Sequence, residues 1–323
     1  MEKRKVILDC DPGHDDAIAI LMLGGYPGFD LLGICTVNGN LDLEGTTRNA
    51  LNVCQWLNLD VPVLKGCAQP LVREVRQIKT THGKTGMDGP DFPPCTKAPE
   101  TQSAIDFIIE QIHRYPKEVT LVITGPMTNV ALAMRKDPGI IPLLHEVVFM
   151  GGSWGYGNVT PAAEFNIWAD AEAAKVVISS GVPMTMMGLD LTRQALCTPE
   201  VIARMEKIGT KAAQLFAELM KFFSARQKEK FGWPGGPIHD STCVAFLIDP
   251  SCIETRPMFC DVDISDGPSY GRTNCDAFSV QSRVSASDGE QYWNVKPANV
   301  NVSVKLDVEK FWDIVEMCIR NYK

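Results

Sequence analysis

Along the chain, short continuous apolar runs alternate with longer stretches in which apolar residues recur every three to four positions. The first pattern predicts strands covered on both faces, the second amphipathic helices. Residues 5–9 (KVILD) form the first such run, followed by a Pro-Gly turn and a helical pattern from Asp15 to about Tyr26. LLGICTV at 31–37 predicts a strand and 44–58 a helix. PVLKG predicts another strand, and TQSAIDFIIEQIHRY, after a long irregular stretch, another helix. VTLVI leads into a helix over Asn129–Arg135, VVFM into the helix DAEAAKVVISS, and VPMTMMGLD closes the alternation. This order specifies an α/β fold, a mostly parallel central sheet flanked by helices. No repeat of fixed period runs through it, which excludes a solenoid.

Two segments break the pattern. Residues 66–100 are rich in Gly, Pro and Thr around THGKTGMDGPDFPP, and a loop of that length in a compact domain points to function or disorder. Residues 199–231 predict one or two long helices, with Ile202, Met205, Ile208, Leu215, Leu219 and Phe222 on the apolar face and a stop at Gly232 and Pro234. Past residue 255 the runs PMFCDVDI, AFSVQSRV and VNVSVKL precede a last helix, DVEKFWDIVEMCIRNY, and suggest a small antiparallel extension of the sheet. At 323 residues and 45% hydrophobic content the chain can bury one large core, so residues 1–323 are expected to form a single domain.

Charge narrows the function classes. A formal net charge of −8, with no run of Lys and Arg, argues against a surface for nucleic-acid phosphate. No stretch approaches the apolar length of a membrane span, and VIL near the N-terminus is too short for a signal-peptide core. The expectation is a soluble cytoplasmic protein. The 11 cysteines are scattered without a CxxC pair, as suits buried free thiols in a reducing compartment rather than a zinc or redox site.

The densest chemistry is DCDPGHDDA at 9–17, which sets Asp9, Asp11, Asp15 and Asp16 around one tight turn. Helix capping explains one of these, or two. Four carboxylates so close repel one another by several kcal/mol unless a cation or protons compensate. Oxygen ligands without His or Cys among them indicate Ca2+ or Mg2+ rather than zinc, and the spacing is not that of an EF-hand. Other polar groups follow later strands: Asn38 and Asn40, Thr124, then Met150 leading to Asn158, Glu164 and Asn166. In an open parallel sheet the ligand crevice lies beyond the carboxyl ends of the strands, so these groups converge on a site suited to a polyol.

DCDPGHDDAIA, TVNGN, TGPMTNVALA, MGGSWGYGNVTPAAEFNIWADAEAA and GGPIHDSTC together resemble the motifs of the nucleoside hydrolase family, over essentially the whole chain. Within that family the sequence is similar to the bacterial pyrimidine-specific ribonucleoside hydrolases, which share HGxTGxDGP near residue 82 and CTPxVIARME near residue 197. The resemblance implies hydrolysis of the N-glycosidic bond of ribonucleosides, uridine and cytidine above all, to ribose and free base. It implies one Ca2+ per subunit held by Asp11, Asp16, the backbone carbonyl of Thr124 and Asp240, with Asp11 as general base toward water. Asp15, Asn40, Met150, Asn158, Glu164 and Asn166 would grip the ribose, and His82, Gln227, Phe231 and His239 would surround the base. His82 and His239 are the catalytic candidates on that side. Asp9 has no ligand role in the pattern and is expected to orient its neighbours, and His14 reads as structural. Family members are usually dimers or tetramers, which makes a homotetramer the favoured assembly and a dimer the alternative. Where these relatives carry Tyr, this chain has Phe231, so a hydroxyl near the departing base is missing.

Two rival readings have their own discriminants. A phosphatase using an Asp-x-Asp turn with Mg2+ would continue that turn into Thr or Val and need a downstream Lys. A nucleoside-binding protein without activity would have no use for a base and a metal site together.

Overall fold

The computed structural model describes residues 3–76, 82–280 and 296–322. Its strands are β1 (Arg4–Cys10), β2 (Phe29–Thr36), β3 (Val63–Lys65), β4 (Val119–Ile123), β5 (Glu146–Met150) and β6 (Met184–Met187). Later come the short pieces β7 (Leu196–Cys197) and β8 (Gly236–Pro237), then β9 (Ile253–Met258), β10 (Cys260–Val262), β11 (Thr273–Cys275) and β12 (Val300–Leu306). Among the described residues, eight strands form the central sheet in the order β3-β2-β1-β4-β5-β6-β12-β9. All neighbours are parallel except β9, which runs antiparallel to β12 at the edge. The chain leaves β1 toward β2 and β3, then returns to place β4 on the other side of β1. The strand order therefore reverses at the carboxyl end of β1, where such sheets bind ligands.

Helices cover both faces. α1 (His14–Gly25), α2 (Leu43–Trp56), α8 (Pro199–Glu206), α9 (Lys211–Phe231), α10 (Ser241–Ile248) and α11 (Val308–Arg320) share one core with Val6, Leu8 and Cys10. α3 (Ala104–Arg114), α4 (Thr128–Lys136) and α6 (Ala171–Ile178) share the other with Ile7. Side chains alternate along β5 in the same way, Val148 and Met150 toward the first core, Val147 and Phe149 toward the second. Each such side chain, fully withdrawn from water, contributes about 1.5–3 kcal/mol. Two one-turn helices, α5 (Phe165–Ala169) and α7 (Leu189–Thr192), follow β5 and β6.

The expected alternation is met element by element from β1 to β6, and 199–231 divides into α8 and α9, with Thr210 capping the second through Ala213 N–H. Phe222 is only half-buried and its neighbour Phe223 takes the core position. The C-terminal third differs in detail. VNVSVKL pairs parallel to β6, and β9 alone extends the main sheet in the antiparallel sense. PMFCDVDI is divided, Pro257 and Met258 in β9 and Cys260–Val262 in β10, which pairs antiparallel with β11 outside the main sheet. Of AFSVQSRV, residues 277–280 form no strand and 281–284 lie outside the described residues, as do 77–81 of the long loop. The cysteines are free thiols, most of them buried, with Cys67, Cys95 and Cys275 partly exposed. No helix of the described residues is long and apolar enough to cross a membrane.

Candidate active site

One pocket opens above the carboxyl ends of β1, β4 and β5. Asp15, Asn40, His82, Thr124, Met150, Asn158, Glu164, Asn166, Gln227, Phe231, His239 and Asp240 all line it. Asp11 and Asp16 are not on its wall but buried immediately behind. The segments converge because parallel strands deliver their following loops to one edge of the sheet.

The floor is a carboxylate cluster. Asp15, Asp16 and Asp240 each bring an oxygen within 4.8 Å of the others. Asp16 also caps α1, its Oδ2 accepting from Gly13 N–H (3.0 Å) while Oδ1 accepts from the Thr124 hydroxyl (2.8 Å). Asp11 stands outside that trio. Its Oδ2 accepts from Asn40 N–H at 2.6 Å, and the Asn40 side-chain amide returns a bond to the Asp11 carbonyl at 3.1 Å. Its Oδ1 is buried and has no hydrogen-bond partner among the described residues. Two glycines make room for this carboxylate: a Cβ on Gly39 would overlap it, and one on Gly125 would lie 2.8 Å from Oδ1. Burial drives every carboxyl of the group upward from its ordinary pKa, and mutual repulsion adds to this for Asp11, Asp15 and Asp240, with Asp15 reaching about 7. A site made of hard oxygen donors, crowded with like charge and holding an orphaned acceptor, fits a divalent cation of the Ca2+ or Mg2+ type. The Thr124 carbonyl, which accepts from Asn166 Nδ2 at 2.7 Å, has a second lone pair with which it could join such a site.

The wall beside this cluster is equally fixed. Glu164 caps α5: Oε1 accepts from Asn166 N–H (2.9 Å), and Oε2 from Gly152 N–H (3.0 Å) and Ile167 N–H (3.2 Å). Burial pushes its carboxyl up to about 7 against those bonds. Asn166 Nδ2 also donates to the Met150 carbonyl (3.1 Å), and Asn158 Oδ1 accepts from Phe165 N–H (3.0 Å). Together they present one carboxylate and two amides on a rigid turn.

The other end of the pocket is aromatic. His82 is held by the backbone N–H of His14 (3.3 Å to Nδ1), and its ring stacks 5.4 Å from those of His14 and Phe223. His14 itself contacts the Asp88 carbonyl through Nε2 (2.9 Å), so it anchors the loop after residue 81 as a structural residue. His239 Nδ1 shares a 2.7 Å hydrogen bond with the Thr192 hydroxyl, and burial pushes that imidazole down to about 3. Gln227 is buried with its Oε1 unpartnered among the described residues. Phe231 is 48% exposed at the rim, its ring 4.9 Å from that of Trp233.

Asp9 does not reach the pocket. It shares the strand face of Ile7, and its Oδ1 accepts from Asn129 Nδ2 (2.7 Å) on α4. Asn129 also donates to the Thr36 carbonyl (3.1 Å) and accepts from Cys67 N–H (2.7 Å), so the pair ties together the ends of three neighbouring segments. Sequence reasoning missed Arg193, Lys230 and Trp233, which also line the pocket. The rule that polar residues after a strand face the ligand, applied to β6 as to the others, would have found Arg193.

Comparison with known proteins agrees with this geometry. A family model described as inosine-uridine preferring nucleoside hydrolase matches residues 6–313. The pyrimidine-specific ribonucleoside hydrolase RihB of Escherichia coli (strain K12) is 50% identical over 322 residues, covering 100% of this chain and 99% of the relative. Among solved structures, a purine-preferring ribonucleoside hydrolase from Gardnerella vaginalis superimposes with a TM-score of 0.88 at 33% identity, covering 98% of both chains. A plant nucleoside hydrolase gives 0.89 at 28% identity, covering 98% of this chain and 99% of the other. With residues 6–313 matched by the family model and its whole length by a 50% identical relative, the chain belongs to the inosine-uridine preferring nucleoside hydrolase family.

Proposed function

We propose that this nucleoside hydrolase cleaves uridine and cytidine in preference to purine ribonucleosides, using one Ca2+ per subunit and Asp11 as the general base. Asp11, Asp16, Asp240 and the Thr124 carbonyl would hold the ion. When bound, it offsets the carboxylate charge and polarises water. Asp11 Oδ1 is the acceptor left free for a proton from the attacking water, because Asn40 N–H engages the other oxygen. Asn158, Glu164, Asn166, Asn40, Met150 and Asp15 bind the ribose hydroxyls. Their negative and carbonyl oxygens stabilise the positive charge that grows on the sugar as the base departs, as in other glycosyl transfers.

One observation carries the base preference: the buried Gln227 amide, with Oε1 unpartnered among the described residues, offers an acceptor beside a donor to the O2/N3 edge of a pyrimidine. The 50% identical relative named as pyrimidine-specific supports the same reading. His82 and His239 flank the base, and Phe231 gives it an apolar face without a proton. The remaining parts of the reading, a cytoplasmic homotetramer in nucleoside salvage, are supported by the family resemblance and by the many unpaired thiols.

The test is release of reducing sugar from uridine, cytidine and inosine, with and without a chelator. Uridine and cytidine should exceed inosine in kcat/KM, and chelation should abolish turnover until Ca2+ is restored. Inosine matching uridine would refute the pyrimidine preference; turnover indifferent to chelation would refute the metal.

A further inference from the structure

The base end of the pocket carries two cations that pair with no carboxylate among the described residues. Arg193, the residue after α7, is half-buried, lines the pocket, and lies close enough for its charge to act on His239. Its guanidinium donates to the carbonyls of Gly157 (2.8 Å) and Tyr156 (3.4 Å) and sits 4.9 Å from the centroid of the Tyr156 ring. All of these partners are neutral, so the side chain is fixed in place while its charge stays unspent. Lys230, exposed on the last turn of α9, lines the same pocket, with Nζ 5.1 Å from the centroid of the Phe231 ring.

The reaction creates a use for that charge. When the bond between C1′ of the ribose and the base nitrogen breaks, its electron pair stays on the base. The water oxygen forms the new bond to C1′ and gives its proton to Asp11. The base must then be protonated as it leaves, or carry the charge. Phe231 has no proton to give, and the amide of Gln227 is no acid. We propose that Arg193, assisted by Lys230, stabilises the negative charge on the departing base, which leaves as an anion and takes up a proton from water afterwards. The proposal rests on the reading of this pocket as a nucleoside site with the base toward the end of α9. It also gives the pocket a selectivity, for bases whose anion spreads over carbonyl oxygens, as a pyrimidine dione does.

The test is a leaving-group series on the calcium-loaded enzyme: uridine, 5-fluorouridine, whose base is the more stable anion, and 4-nitrophenyl riboside, whose phenolate needs least help. Arg193→Gln should lower kcat on uridine about 100-fold, the order expected when one fixed electrostatic partner is removed from a transition state. The loss should shrink for 5-fluorouridine and be smallest for the nitrophenyl riboside, with KM little changed. Arg193→Lys should recover part of the loss in the same graded way. Lys230→Gln, which breaks no backbone contact, should repeat the gradient at about threefold, as suits a screened rim charge. If a proton were delivered in the transition state, by His239 for instance, the base would carry little charge and the loss would be equal across the series. An equal loss from Arg193→Gln, or no gradient from Lys230→Gln, would overturn the proposal. Should the wild type cleave inosine and not uridine, the pyrimidine preference falls, and inosine against the nitrophenyl riboside still decides the role of Arg193.

Discussion

Asp11, Glu164 and Asn166 are buried and bonded to backbone groups at strand ends, whereas Phe231 and Lys230 project into solvent from the last turn of α9. The first set is costly to alter, because truncating one partner strands another buried polar group at about 1–3 kcal/mol. The second is cheap, since exposed substitutions usually change stability by less than about 0.5 kcal/mol. On the proposed reading, glycosidic-bond cleavage rests on the part of the fold that is costly to vary. Base choice, beyond the buried Gln227, falls to a rim that varies cheaply. Family members named for purine and for pyrimidine substrates share this fold, as the division leads one to expect.

Substitutions on the two sides should separate by size. Asp11→Ala should lower kcat by about 10²–10⁴, the usual worth of a general base, while binding of a ribose analogue persists. Steady-state kinetics with an inhibition constant decides this, and a variant keeping more than about a tenth of wild-type kcat would remove Asp11 from that role. Asp240→Ala should weaken metal affinity at least about 100-fold, since even partners outside the coordination sphere are worth about 10–100-fold. Elemental analysis should then find well under one calcium per chain, and the melting temperature should no longer fall when a chelator is added, because the wild type alone has bound metal to lose.

Gly39→Ala should act through position alone. Its methyl group overlaps the Asp11 carboxylate, and a misplacement of about 1 Å can cost about 10²-fold in rate. The sign of success is a large fall in kcat in a protein that still melts cooperatively; unchanged kcat would mean that Asp11 tolerates displacement. Phe231→Tyr should give the smallest effect, a rise in kcat on uridine of about threefold with KM nearly constant, because a hydroxyl acting on the departing base works only in the transition state. A change in KM alone would move that residue from chemistry to binding.

The strand ends were legible because fully buried parallel strands write themselves as unbroken apolar runs, and the residues after them mark the pocket edge. Direction is not written that way. VNVSVKL has the same alternation whether it pairs parallel with β6 or antiparallel, so its role depended on contacts far away in sequence. α10 escaped because STCVAFLI is almost wholly buried and has no polar stripe to betray a helical period. The orientation of Asp9 was recoverable in principle: period-two alternation puts it on the face of Ile7, away from Val6 and Leu8, and so toward Asn129. Lys230 and Trp233 could not be told from ordinary surface residues, since a rim position leaves no mark on the hydrophobic pattern.

The carboxylate cluster unites the first turn of α1 with Asp240, far along the chain, and that separation orders events during synthesis. Asp15 and Asp16 leave the ribosome long before their third partner exists. At about 5–20 residues per second the gap lasts on the order of ten seconds or more. Throughout it the turn is a bare knot of charge that only water and loose counterions can screen. On the proposed reading, a nascent chain cut short of Asp240 has most of its sheet and only part of the metal shell. Activity would then arrive with the last quarter of the polypeptide.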